Sequence, residues 1–213
     1  MTEGEWLAAR CPRTILESLK FKRTDRKLRL FTCACIRDEQ ELLANELDVL
    51  IEKVEALADG LATFEDVRNA IPGLYDLEIS WGEEDEGDES LEGYYCAKNA
   101  VITLTAHLDD SFLTALGACP QLADAEEFFQ CELLRDIFGN PFRPVVFDPN
   151  WRTSTVVAIA KAMYESRDFS PMPILADALQ EAGCENADIL NHCRSDGPHV
   201  KGCWVVDLVL GKA

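Results

Sequence analysis

Apolar residues recur at helical spacing along most of the chain. The clearest case is residues 38–59, where they are spaced by four, three, four and three residues: Leu43, Leu47, Leu50, Val54 and Leu57. One face of a helix therefore carries the apolar residues and the other face carries acids. Gly60 follows and is a typical helix end. The pattern predicts an amphipathic helix here.

Shorter stretches with the same spacing predict further helices, several of them preceded by a capping residue or ended by glycine or proline. Before the acidic segment they are residues 3–9, 12–21, a helix starting near Thr24 or Asp25, and 63–70. After it they are residues 94–108, 124–138, 153–166, 171–182, 188–194 and 199–210. The last of these is nearly all apolar and fits a buried helix or a strand, and we favour a helix because no second strand is available to pair with it.

Two segments lack this periodicity. Residues 76–93 (DLEISWGEEDEGDESLEG) combine acids with glycines, a composition typical of a solvated or disordered loop. Residues 138–151 (FGNPFRPVVFDPNW) hold three prolines, which restrict the backbone and predict a rigid connector. We expect an all-α protein built from segments 1–75, 76–93 and 94–213, with the two helical segments forming one compact multi-helix domain.

Composition and length fit an intracellular globular protein. A chain of 213 residues with 47% hydrophobic residues can bury a core without help from a metal or disulfides. The first residues lack the basic and apolar regions of a leader, and no apolar run is long enough to span a membrane, so we expect a cytoplasmic protein. Nine scattered cysteines fit reduced, mostly buried thiols.

Charge is distributed unevenly along the chain. The net charge is −19, but residues 1–37 carry nine Lys or Arg against four acids, while residues 38–93 carry two against nineteen. The acidic region is therefore expected to pair with the basic segment or to bind a basic protein partner. Nucleic-acid binding is disfavoured, although the basic residues around Arg26, Lys27 and Arg29 are expected to project from their helix and could contact phosphate.

The candidate chemistry lies near the C-terminus, in five residues with side chains that bind zinc: Cys184, His192, Cys193, His199 and Cys203. His199 and Cys203 are four residues apart and would share one face of the predicted last helix. Two interpretations stay open. The five residues supply a zinc site, or the thiols belong to the core and the histidines form hydrogen bonds at helix ends, since no CxxC pair is present.

A cysteine-dependent enzyme is a further alternative, because Asp207 continues the face of His199 and Cys203. However, a base and a nucleophile on one straight helix are poorly placed for a short, directed hydrogen bond. Asp207 also lies among apolar residues, so it needs a partner, for which Arg135, Arg143 and Arg194 are the candidates. The chain has no Walker loop, GxGxxG, HExxH or GxSxG motif, which favours a non-enzymatic protein.

Several motifs resemble a family of proteins found in planctomycete-type bacteria. They are ILESLKFKRTDRKLRLFTCAC near the N-terminus and FGNPFRP, ILADALQEAGC and HCRSDGPHVKGCWVVDLVLGK near the C-terminus, together about half of the chain. The family's CACCRR is CACIRD here, so one thiol near Cys33 and Cys35 is missing. The resemblance implies no particular activity.

Taken together, these patterns favour a non-enzymatic, acidic helical module that binds a protein partner. The alternatives are a zinc-stabilised protein associated with nucleic acid or regulation, and a cysteine-dependent enzyme.

Overall fold

The computed structural model describes residues 1–19, 24–38, 45–70 and 124–212. Within these ranges the chain forms α-helices and one 3-10 turn, and no strand, as predicted for an all-α protein. The helices are α1 (Glu3–Ala8), α2 (Pro12–Ser18), α3 (Asp25–Asp38), α4 (Asn45–Ala58), α5 (Phe64–Asn69), α6 (Asp124–Phe138), α7 (Ser154–Ser166), α8 (Met172–Glu181), α9 (Ala187–Cys193) and α10 (Trp204–Leu210), with the 3-10 turn at Pro149–Trp151.

The chain divides into two compact units. One unit contains residues 1–22 together with residues 125–213, and the other contains residues 23–124. The first helices therefore pack with the C-terminal half of the chain. The predicted acidic loop 76–93 and the predicted helix 94–108 lie outside the described residues, so the predicted division into segments 1–75, 76–93 and 94–213 stays a prediction.

In the second unit, α3 and α4 pack against each other, and α4 packs against α5. Their buried apolar residues form the interface, including Phe31, Leu50 and Val54. Ion pairs link the basic side chains of α3 to acids of α4 and the turn after it: Arg26 Nε lies 3.0 Å from Asp59 Oδ1, and Arg37 Nε lies 3.1 Å from Glu55 Oε1.

The expectation that the basic residues of α3 project into solvent is wrong for two of them. Arg29 is only 7% exposed, and its guanidinium carbon lies 5.2 Å from the centre of the Phe64 ring. Arg26 is largely covered by its ion pair with Asp59. These side chains contribute to the unit's own packing, because a guanidinium can cover an aromatic ring while it keeps its charge.

In the first unit, α7 to α10 surround an apolar core whose buried residues all lie between Val156 and Val209. Local signals set the helix ends. The Thr153 and Asn186 side chains accept hydrogen bonds from the N–H groups of Val156 and Ile189 at the starts of α7 and α9. Gly211, with φ of 68°, ends α10.

The last helix is shorter than predicted, since it begins at Trp204 and not at His199. Gly202 has φ of 98°, a conformation outside any right-handed helix, and Cys203, with φ of −46° and ψ of 127°, is not helical either. The N–H of Val200 donates to the Asp136 carboxylate at 3.0 Å. Residues 199–203 therefore form a turn, and His199 and Cys203 do not share a helical face.

Gly139 ends α6 at a point where a side chain would press against Trp204. Its φ is 65°, and a Cβ atom there would lie 3.1 Å from Cγ of Trp204. Gly183, after α8, also has a positive φ (88°), but a Cβ atom there would meet no described atom within 4 Å beyond its chain neighbours. Both glycines therefore need a positive φ, but only Gly139 packs closely against another side chain.

We predict that Gly139→Ala destabilises the protein more than Gly183→Ala. Gly183→Ala should cost about 1–2 kcal/mol for a left-handed alanine. Gly139→Ala should cost about 1–3 kcal/mol more, because Trp204 must move. Urea unfolding of both variants measures the difference in their free energies of unfolding. Equal losses in the two variants would show that Trp204 can move without an energetic cost.

Candidate metal centre

Four side chains from three parts of the first unit meet at one point. Asp136 lies near the end of α6, His192 in the last turn of α9, His199 in the turn before α10, and Cys203 at the N-cap of α10. Each offers one metal-binding atom, and these atoms all lie within 4.8 Å of one another. The set contains two imidazole nitrogens, one carboxylate oxygen and one sulfur.

The shortest distances centre on Asp136 and His192. Oδ1 of Asp136 lies 2.9 Å from Nδ1 of His199 and 3.1 Å from Nε2 of His192. The same Nε2 of His192 lies 3.2 Å from Sγ of Cys203. A tetrahedral zinc ion with bonds of about 2.0–2.3 Å places its ligand atoms about 3.3–3.8 Å apart. These three distances are slightly shorter than this range, while all four ligand atoms lie within 4.8 Å of one another, so small movements of the side chains would accommodate the ion.

Other contacts orient two of the four side chains, Asp136 and His199. Oδ2 of Asp136, the oxygen outside the cluster, accepts a hydrogen bond from the N–H of Val200. Nε2 of His199, its second ring nitrogen, lies 3.4 Å from the carbonyl oxygen of Ser195. Zinc-binding histidines and carboxylates usually have such outer partners, which fix the ring orientation and the free oxygen.

An aromatic side chain covers one side of the cluster. The Trp204 ring lies 5.1 Å from the His192 ring, centre to centre, and Gly139 packs against the same indole. The His192 and His199 rings meet edge to face at 4.9 Å. The His192 and His199 side chains are only 17% and 7% exposed, so the cluster is nearly closed to water.

The Asp136 carboxylate is ionised within this enclosure. Burial by itself raises its pKa, but hydrogen bonds from His192 and His199 outweigh burial and bring the pKa below its ordinary value. The side chain is therefore a negative charge in the fold, and only 3% of Asp136 is exposed.

The Cys203 thiol is protonated and shielded in the absence of a metal. Burial raises its pKa well above the usual value, and the Asp136 charge raises it further, although N–H groups of Val206 and Val205 at the start of α10 act in the opposite direction. Cys203 is fully buried. A nucleophilic cysteine needs the reverse, a lowered pKa and access to substrate.

The two other cysteines of the predicted site lie elsewhere. Cys184 and Cys193 are fully buried in the apolar core of α7 to α10 and are not members of the four-residue cluster. Burial raises the pKa of both thiols, that of Cys193 to about 12. The structure thus brings together His192, His199 and Cys203 from the predicted set, and places Cys184 and Cys193 among apolar side chains.

Asp136 is the member that the sequence pattern did not single out. It lies in the run LLRDIF, between the fully buried residues Leu134 and Ile137. A carboxylate on the apolar side of an amphipathic helix needs a partner, and this signal could have identified it.

Asp207, the third residue of the predicted catalytic face, lies in the first turn of α10 and is 2% exposed. The arginines expected to pair with it contact other groups: Arg135 donates to the carbonyls of Trp6 and Ala9, Arg143 pairs with Glu3 and Asp188, and Arg194 pairs with Asp177. Asp207 is not a member of the four-residue cluster.

Comparisons with known proteins add no relative. No protein-family model matches the chain, and neither a curated protein nor a solved structure matches it. The resemblance to the planctomycete-type family stays an expectation, and function is inferred from the site. In the described part of the chain, every helix is too short or too polar to cross a membrane.

We predict that Cys203 reacts slowly with iodoacetamide in metal-free folded protein, while the exposed Cys11 reacts readily. A raised pKa leaves almost no thiolate at pH 7–8, so alkylation should appear only at strongly alkaline pH or after unfolding. Peptide mass spectrometry measures each site, with Cys11→Ser as the control for assignment. Rapid alkylation of Cys203 at neutral pH would revive the cysteine-enzyme hypothesis.

Proposed function

We propose that this chain is a non-enzymatic, zinc-stabilised helical module that binds a basic protein partner. Zinc would be held by Asp136, His192, His199 and Cys203. The observation that carries this proposal is the convergence of four metal-binding atoms from α6, α9 and the start of α10 within 4.8 Å.

The direction of the His192 ring favours a metal over a catalytic triad. In a Cys–His–Asp triad, one ring nitrogen contacts the thiol and the other contacts the carboxylate. Here the same nitrogen, Nε2 of His192, faces both Sγ of Cys203 and Oδ1 of Asp136. Convergence on a single point is the arrangement that a bound cation requires.

The donor set favours zinc in a structural role. Imidazole, thiolate and carboxylate are all common zinc ligands, and four protein ligands leave no position for water or substrate. Catalytic zinc sites keep one position open. The Cys203 thiol would lose its proton on binding, so affinity should increase with pH.

The charge of the chain supports a basic partner. Two basic side chains of α3, Arg26 and Arg37, already pair with Asp59 and Glu55 of the same unit. These pairs argue against a free basic surface for nucleic acid. With a net charge of −19, the excess charge available to a partner is negative.

We predict one zinc ion per chain in protein purified without chelator. Cys203→Ser and Asp136→Asn should lose the ion or bind it at least tenfold more weakly, since each removes a good ligand. Cys193→Ala is the matched control: it also changes a fully buried thiol, but one outside the cluster, so it should retain the metal. Elemental analysis and competition with a colorimetric chelator measure stoichiometry and affinity.

Two outcomes would contradict the site. Wild-type protein that remains metal-free after incubation with zinc and removal of excess would exclude it. Loss of zinc from Cys193→Ala but not from Asp136→Asn would show that zinc binds in the apolar core and not at the four-residue cluster. If zinc binds as proposed, a chelator should lower the melting temperature of wild-type protein and change that of Cys203→Ser much less.

A further inference from the structure

The end of α1 is held by a side chain of the helix that carries Asp136. Nη2 of Arg135 donates to the carbonyl oxygens of Trp6, at 2.9 Å, and Ala9, at 2.6 Å. Carbonyls in the last turn of a helix have no partner within the helix, and a cation is favourable there. Arg135 therefore caps α1 from outside.

The start of α1 is held by residues that follow α6. Nδ2 of Asn140 donates to Oε1 of Glu3 at 2.8 Å, and Nε of Arg143 lies 2.5 Å from the same oxygen. Arg143 also reaches Asp188 at the start of α9, at 3.4 Å. Both ends of α1 thus contact α6 and the loop after it, and the Trp6 side chain between them is buried.

α6 contacts the other members of the four-residue cluster and α1 through adjacent residues, Asp136 and Arg135. Asp136 faces His192 and His199, while Arg135 faces α1. Among the described residues, the apolar core of α7 to α10 includes none from α1. The four-residue cluster is a polar connection between α6 and those helices. A bound metal would hold its four side chains in place.

We propose that metal binding at the four-residue cluster and docking of α1 on α6 are coupled, so that loss of the metal releases α1. This inference rests on the zinc site proposed above. Without the ion, the cluster keeps its hydrogen bonds but lacks the bonds that the metal would add, so the end of α6 is held less firmly against α9. A shift there displaces Arg135, Asn140 and Arg143 from their partners in α1. By linkage, a change that undocks α1 weakens metal binding by the same factor.

Hydrogen exchange followed by mass spectrometry tests the coupling in the full chain. Zinc-loaded and chelator-treated wild-type protein are compared. We expect amides of residues 3–9 to exchange at least tenfold faster in the metal-free protein, while amides of α8, in the apolar core, change little. If residues 3–9 exchange at the same rate in the zinc-loaded and the chelator-treated protein, and the zinc-loaded protein does contain zinc, the coupling is overturned. The proposed zinc site would not be affected by that result.

A variant of a residue that is not itself a metal ligand tests the reverse direction. Arg135→Ala removes both hydrogen bonds to α1, so we expect fast exchange of residues 3–9 even with zinc present and about tenfold weaker zinc binding. Arg13→Ala is the control, because it removes only the exposed pair with Glu17 in the same N-terminal segment. Undiminished zinc affinity in a folded Arg135→Ala would count against the coupling.

Metal analysis separates the two proposals. Wild-type protein that binds no zinc would overturn the proposed site, and the coupling with it. If Arg135→Ala does not fold, as judged by circular dichroism, the comparison of wild-type protein with and without chelator decides alone.

Discussion

The first unit depends on one buried negative charge. An ionised carboxylate inside a protein is costly unless several donors surround it, and Asp136 has three: both histidines and the N–H of Val200. These donors come from α9 and from the turn before α10, so satisfying the carboxylate also fixes the end of α6 against them. The turn at residues 199–203 has its shape partly for this reason, because Val200 gives its N–H to Asp136.

The same arrangement explains how a core cysteine can sit beside polar groups. Cys203 belongs to the apolar core of α7 to α10 and at the same time borders the Asp136 cluster. Its position at the N-cap of α10 aims backbone N–H groups at the sulfur, which partly offsets the effects of burial and of the nearby carboxylate on its pKa. A thiol in this place is a poor nucleophile because its pKa is raised. It is a reasonable metal ligand, because the positive charge of a metal ion stabilises the thiolate.

Both units use arginine to join helices. Arg135 and Arg143 attach α1 in the first unit, and Arg26 and Arg37 join α3 to α4 and the turn that follows it in the second. The planar guanidinium can serve several acceptors at once and remains charged when partly buried. These arginines therefore contribute to the chain's own structure, because they pair with its acids and carbonyl groups.

The helical class and most helix ends can be read from the amino-acid sequence, because amphipathic spacing, capping side chains and glycines act over a few neighbouring residues. The spacing correctly indicated helices near α4, α6, α7 and α8, and the residue types drew attention to His192, His199 and Cys203. The start of α10 was missed, since an apolar run does not reveal that Gly202 adopts a positive φ. Folding of distant segments brought Asp136 to the two histidines and placed Cys184 and Cys193 in the core. Contacts between residues far apart along the chain depend on how whole helices pack, and no local spacing encodes them.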